Sequence, residues 1–184
     1  DILKLSNALF SFFYKRGYAF MIREFFLLWW LLYWITDIKP LRGLTRSVVS
    51  VANCLNTKRF AKFLIQENPD FIISTHFLPS EVSSNLKITK RIKSRLITVI
   101  TDFGVHPFWI SDGTDIYIVA SEFTKKQLIA SGVVEDRVKE FGIPVDSKFL
   151  APFDRSQLCR KFDIAEDKFT VLIMTGSFGI GPVE

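Results

Sequence analysis

Residues Leu96–Ile110 read "LITVITDFGVHPFWI". Aliphatic and β-branched residues run together and stop at Thr101-Asp102; a glycine, a histidine, a proline and a tryptophan follow. A run that is apolar at successive positions, instead of alternate ones, suits a strand buried on both faces, as in a parallel sheet covered by helices. Its abrupt polar end poses the functional question. Asp102 and His106 either dress an ordinary turn or stand on the rim of a site.

The flanking sequence repeats the pattern. "PDFIIST" (69–75) predicts a strand ending at Thr75-His76, "TDIYIVAS" (114–121) a second, "VKEFGIPVD" (138–146) a short strand and turn, and "FTVLIMTGS" (169–177) a last strand. Between them, "RSVVSVANCLNTKRFAKFLIQEN" (46–68) has apolar residues near helical spacing at Val48, Val51, Leu55, Phe60, Phe63 and Leu64, and predicts an amphipathic helix. "SEVSSNLKITKRIKS" (80–94) reads as a helical connection, and "EFTKKQLIASG" (122–132) as a helix stopped by Gly132. Alternating strands and helices imply an α/β fold around a parallel sheet, with both of its faces covered.

Composition is that of a globular chain: 184 residues, 48% hydrophobic and 23% charged. Lys+Arg 24 against Asp+Glu 19 leaves a net charge of +5, which suits anionic partners without choosing among them. Cys54 and Cys159 lie far apart, in no ligand spacing, and read as reduced thiols. No metal-ligand pattern is present. The opening "DILKLSNALF" lacks the basic and small-residue marks of a signal peptide, and both ends of the chain read as cut.

The first third is different material. "FSFFYKRGYAFMIREFFLLWWLLYW" (10–34) is dense in aromatic residues, yet its uninterrupted apolar part, Phe25–Ile35, is well short of the roughly 20 residues a membrane span needs. Trp29, Trp30, Tyr33 and Trp34 cannot all face one core on a helix, and Trp and Tyr beside cations suit a bilayer interface. Two expectations stand side by side: a buried helix, or a membrane-touching surface. The cluster Lys87, Lys90, Arg91, Lys93 and Arg95 reads as a solvated face, or as a headgroup contact if it lies beside the aromatic segment.

In open parallel sheets ligands gather beyond the carboxyl ends of the strands. Three predicted strand ends carry polar residues: Thr75-His76, Thr101-Asp102 and Thr175-Gly176-Ser177. The last continues to Gly179 and Gly181, a loop whose backbone N–H groups could approach a diphosphate, although its spacing is neither the dinucleotide fingerprint nor a P-loop.

Taken in order, "PDFIISTHF", "ITVITDFGVHPFWI", "DIYIVASEFTKKQLIASGV", "VKEFGIPVDSKF" and "VLIMTGSFGIGPVE" resemble the diacylglycerol glycosyltransferases, the monogalactosyldiacylglycerol synthases and processive diacylglycerol glucosyltransferases. The resemblance extends over essentially the whole chain and is most specific in "TDFGVHPFW" and "GIPVDSKF". It implies a two-domain GT-B-type enzyme with Rossmann-like halves. Residues 1–150 would form the acceptor and membrane side, 151–168 an interdomain connection, and 169–184 the opening strand and glycine loop of the UDP-sugar domain.

The resemblance also implies residue roles. Thr175, Gly176, Ser177 and Gly179 would lie against the UDP diphosphate, though relatives often carry further glycines and a Glu where this chain has Ser177-Phe178. Asp102 and His106 would support catalysis on the acceptor side, with Asp102 favoured over His106 and His106 over His76. Trp109 would face lipid, joining Trp29, Trp30 and Trp34 at the membrane. The expected general base belongs to a glycine-rich loop that would precede Asp1, so the chain by itself is expected to be inactive. Implied partners are a UDP-sugar donor, diacylglycerol and anionic lipid at the cytoplasmic face of the membrane, bound peripherally; no cofactor, metal or nucleic acid is implied. Two alternatives are a soluble UDP-sugar epimerase-like enzyme, which predicts a buried aromatic segment, and a non-catalytic membrane-binding module.

Overall fold

Four strands form one parallel sheet in sequence order: β1 (Phe71–Ser74), β2 (Arg95–Val99), β3 (Ile116–Val119) and β4 (Val138–Glu140). Phe71 pairs with Arg95, Ile97 with Ile116 and Tyr117 with Val138, so β1 and β2 start level while β3 and β4 each start further along their neighbour. This is the Rossmann-like α/β sheet expected from the sequence. The computed structural model describes residues 2–17, 20, 21, 24, 25, 27, 28, 30, 31 and 42–174. The chain divides into two compact units, Asp1–Ile143 and Pro144–Glu184.

The first unit includes the helices α1 (Ala8–Phe12), α2 (Arg42–Asn56), α3 (Lys58–Glu67), α4 (Phe77–Ile88) and α5 (Glu122–Ala130). A π-turn over Phe13–Gly17 follows α1 directly. Asn68, left-handed at φ 40°, and Pro69 end α3 and turn the chain into β1. Gly132, at φ 95°, follows α5 as its sequence predicts. No α-helix joins β2 to β3 among the described residues: that crossover is an irregular segment holding one 3₁₀ turn, Pro107–Trp109.

Three expectations are corrected. The helix predicted over 46–68 is two helices, parted at Thr57, whose hydroxyl donates to the Asn53 carbonyl at 2.7 Å. Of its six apolar positions only Leu64 is buried, while Val48, Val51, Leu55 and Phe63 are exposed. Burial of the sheet on both faces holds for much of β2 and β3 but fails at β1, where Phe71 and Ile73 are exposed. The strand predicted over 169–177 is not formed at 169–174, where the chain is irregular and Phe169, Leu172 and Met174 are exposed. A lone apolar run has no ladder to join, and hydrophobicity alone cannot hold it extended. The second unit has one α-helix among its described residues, α6 (Arg155–Phe162), capped by Asp154, whose carboxylate accepts from the Gln157 N–H at 3.1 Å.

Two apolar clusters make the core of the first unit. One gathers Ile100, Trp109, Tyr117, Val119, Leu128 and Val138; the other gathers Leu64, Leu78, Val82, Leu86 and Ile92, and Phe77 packs against both. Between α4 and the sheet the seam is polar: the Ser80 and Thr98 hydroxyls bond at 2.6 Å, and Thr98 reaches Thr114 at 3.3 Å. Small side chains on α4 let the loop before β3 come close, and the Gly113 N–H donates to Ser84 Oγ at 2.9 Å. Asp115 next to it accepts from Lys87 and from the Leu96 N–H. Burial acts to raise the Asp115 pKa, but these hydrogen bonds and the charges of Lys87 and Arg95 outweigh it, leaving the pKa below its ordinary value.

A side chain at Gly113 would place its Cβ 2.8 Å from the Ser84 carbonyl oxygen, which is helix backbone and cannot step aside. Gly113→Ala is expected to lower stability by about 1–3 kcal/mol in urea unfolding. Gly104→Ala, with nothing within 4 Å of the new Cβ, is expected to stay within about 0.5 kcal/mol of the parent.

Candidate active site

The carboxyl ends of the adjacent strands β1 and β2 lead to His76 and to Thr101-Asp102. Both open on a cavity of about 680 Å³. Its wall is mainly apolar and aromatic: Phe10, Phe13 and Met21 from the N-terminal segment face Phe77, Phe108 and Trp109 from the sheet side. Thr101, Asp102, His76, His106 and Tyr14 supply its polar groups. Of the three strand ends singled out in the sequence, those at Thr75-His76 and Thr101-Asp102 share one crevice, and Thr175-Gly176-Ser177 lies outside the described residues. Asp102 is the only carboxylate among the cavity's described lining residues.

The segment 102–109 folds back on itself around one bond: the Trp109 indole Nε1–H donates to Asp102 Oδ2 at 2.7 Å. Trp109 is 2% exposed, which corrects the expectation that it faces lipid. The indole carries one N–H donor, and a carboxylate at the strand end satisfies it, so the ring can enter the core at no cost in unpaired polar groups. His106 is also buried and caps the 3₁₀ turn, its Nδ1 accepting from the Phe108 N–H at 3.3 Å.

His76 does the same for α4, its Nδ1 accepting from the Leu78 N–H at 3.2 Å, while its Nε2 lies 3.3 Å from the Tyr14 hydroxyl. An Nδ1 that accepts from a backbone N–H has no proton of its own, so the neutral ring carries hydrogen on Nε2. In their neutral forms both histidines are thus hydrogen-bond donors at Nε2, not bases. His76 is accessible to water through the cavity but hemmed in by Tyr14, Phe77 and Trp109. This desolvation lowers its pKa from the ordinary 6.5, and the Asp102 charge only partly opposes the effect.

Of the residues expected at the membrane, Trp30 is 55% exposed; Trp29 and Trp34 lie outside the described residues, as do Thr175, Gly176, Ser177 and Gly179. The cluster Lys87, Lys90, Arg91, Lys93 and Arg95 is expected from sequence as a solvated face, or as a headgroup contact if beside the aromatic segment. Lys87 pairs with Asp115, and Arg95 begins β2, at the end of the sheet away from the cavity. Phe10, Tyr14, Met21, Phe77 and Phe108 were not singled out as site residues. Their only signal was aromatic density, which does not say which strand end a helix will cover. Among the described residues no group of three His, Cys, Asp or Glu is placed to hold a metal ion.

Because the folded-state pKa of His76 is depressed, the unfolded chain binds more protons below about pH 6.5. The stability tied to neutral His76 is complete above that pH and is lost as pH falls toward the folded-state pKa. His76→Asn keeps the helix cap and removes the titration. The expected outcome is a smaller fall in melting temperature on acidification for His76→Asn than for the parent, read from thermal melts across that range.

Sequence comparison agrees with this geometry. The family model of monogalactosyldiacylglycerol (MGDG) synthase matches residues 1–145. A processive diacylglycerol beta-glucosyltransferase from a bovine strain of Staphylococcus aureus is 36% identical over 122 residues, 66% of this chain and 31% of that protein. The corresponding protein of strain Newman is 35% identical over the same coverage. The chain thus spans about a third of the length of these curated relatives. On a match covering most of its residues, the chain belongs to the monogalactosyldiacylglycerol synthase family, and its Rossmann-like parallel sheet is the N-terminal half of a GT-B-type glycosyltransferase fold.

Proposed function

We propose that the protein to which these residues belong transfers a hexose from a UDP-sugar to diacylglycerol, acting as a peripheral enzyme at the cytoplasmic face of the membrane. The observation that carries this reading is the cavity itself. An apolar wall ending in a carboxylate and two imidazoles suits an acceptor that is hydrocarbon at one end and hydroxyl at the other. The relatives' name, processive diacylglycerol beta-glucosyltransferase, supplies the same acceptor. The family match leaves the epimerase-like alternative without support.

In this reading the acyl chains lie along Phe10, Phe13 and Met21 and the glycerol hydroxyl reaches Asp102. Asp102 is a positioning residue. One oxygen is held by Trp109, which fixes the carboxylate plane, and the other accepts a hydrogen bond from the acceptor hydroxyl. His76 and His106 line the cavity beside Asp102 and border the acceptor's other oxygens. The hydroxyl oxygen then attacks the anomeric carbon, its proton passes to a base, and the bond to the diphosphate breaks with UDP taking the electron pair. The proton-accepting base is the histidine of the glycine-rich loop that the family resemblance implies.

Thr175, Gly176, Ser177 and Gly179 are proposed to bind the diphosphate through backbone N–H groups and the Ser177 hydroxyl. No resident cofactor is invoked, since the donor brings its own leaving group. Trp29, Trp30 and Trp34 are proposed to rest at the lipid interface beside anionic headgroups. Among the described residues no helix is long and apolar enough to cross a membrane.

The test supplies the whole protein with vesicles of diacylglycerol and anionic lipid, together with UDP-glucose or UDP-galactose, and looks for product by mass spectrometry. Hexosyl-diacylglycerol is expected, and its absence with both donors, from folded protein bound to the vesicles, would sink the reading. Asp102→Asn keeps an acceptor for Trp109, so it is expected to melt near the parent temperature while turnover falls about 10²-fold or more. Asp102→Ala is expected to cost about 1–3 kcal/mol of stability as well, because it strands the buried indole N–H.

A further inference from the structure

Helix α2 is built inside out. Its inner face is polar: Asn53 is buried with its side-chain amide donating to Glu81 Oε2 at 2.6 Å, and the Asn85 amide on α4 donates to Ser50 Oγ at 3.2 Å. Its outer face is apolar. Val48, Val51 and Leu55 follow one another at helical spacing and are 61%, 61% and 58% exposed. A helix on a water-facing surface presents the opposite arrangement, and a stripe of this kind marks a surface made to be covered.

Charge indicates what covers it. From Arg42 to Gln66 the chain has Arg42, Arg46, Lys58, Arg59 and Lys62 and no acidic residue. Arg59 of α3 also lines a groove of about 420 Å³ together with Lys4 and Arg16, again without an acidic residue in its described lining. An apolar stripe followed by the cations of α3, which form no ion pair among the described residues, is complementary to a surface that is greasy beneath and anionic above. The stripe is continuous with the cavity's own helix, since the Asn7 N–H at the start of α1 donates to the Asn56 carbonyl at the end of α2, at 2.9 Å.

We infer that α2 docks on an anionic lipid surface, its Val48–Val51–Leu55 stripe in the acyl boundary and the cations of α3 at the headgroups. This rests on the membrane part of the proposed function but not on its transfer chemistry. It gives the cavity a second point of attachment to the bilayer, apart from the tryptophans.

Cys54 offers a direct test, being exposed on α2 while Cys159 is buried. An environment-sensitive dye on Cys54 of the native chain is expected to shift to the blue on adding phosphatidylglycerol-containing vesicles, and much less on pure phosphatidylcholine. No shift with either would overturn the inference. The variant Val48→Ser/Val51→Ser/Leu55→Ser is expected to bind the anionic vesicles at least about tenfold more weakly, with an unchanged melt because these side chains are already exposed. Parental binding by that folded variant would also overturn it. So would a lipid-free dimer that the triple variant converts to monomer, because a second copy would then be the cover. Absence of glycolipid product with the dye shift intact would count against the transferase reading alone.

Discussion

The bond from the Trp109 indole to Asp102 is the constraint on which the rest of the site depends. It lets the largest side chain of the crossover enter the core, where it packs with Ile100, Tyr117 and Leu128. It also fixes a carboxylate at the carboxyl end of β2. Once Trp109 is anchored, Pro107 and Phe108 must turn tightly, and His106 is placed to cap that turn. The floor of the cavity is therefore a consequence of how one indole N–H is satisfied. A phenylalanine at 109 could fill much of the same volume, but it would leave Asp102 without its fixed partner.

The two histidines show the same economy. Each spends its Nδ1 lone pair on a backbone N–H at the start of a helical turn. What remains to face the cavity is an N–H. For His76 burial reinforces this, because desolvation keeps the ring neutral even with Asp102 nearby. The proposed function accordingly asks neither histidine to act as the base.

Much of the fold was legible because buried parallel strands leave an unmistakable run of apolar residues. "LITVIT" and "TDIYIVAS" could hardly be anything else, and Gly132 announced the end of α5. The convergence of Thr101, Asp102 and His106 on one crevice followed from the rule that such sheets bind ligands beyond their carboxyl ends. The cavity's other wall was not legible. Phe10, Tyr14 and Met21 are more than fifty residues from His76 in sequence, and nothing local records which strand end they cover. Nor could the apolar pattern of "FTVLIMTGS" make a strand without a neighbour to pair with.

Periodicity has a more general blind spot, and α2 exposes it. Val48, Val51 and Leu55 have the spacing of a core-facing stripe, so sequence alone turns them inward. The hydrogen bonds of Asn53 and Asn85 turn them outward, because a polar face tied to a neighbouring helix leaves the apolar face no inner surface to meet. Charge behaves in a parallel way. The basic run at 87–95 reads from sequence as a solvated face or a headgroup contact, and its Lys87 is taken up by Asp115, where it ties α4 to the loop before β3. The cations of α2 and α3 attract less notice in sequence, being spread over two helices, yet no acid lies among them. A cation's role is set by whether an anion of the same chain already stands beside it. By that criterion Lys58, Arg59 and Lys62 of α3, which form no ion pair among the described residues, have charge to offer a membrane.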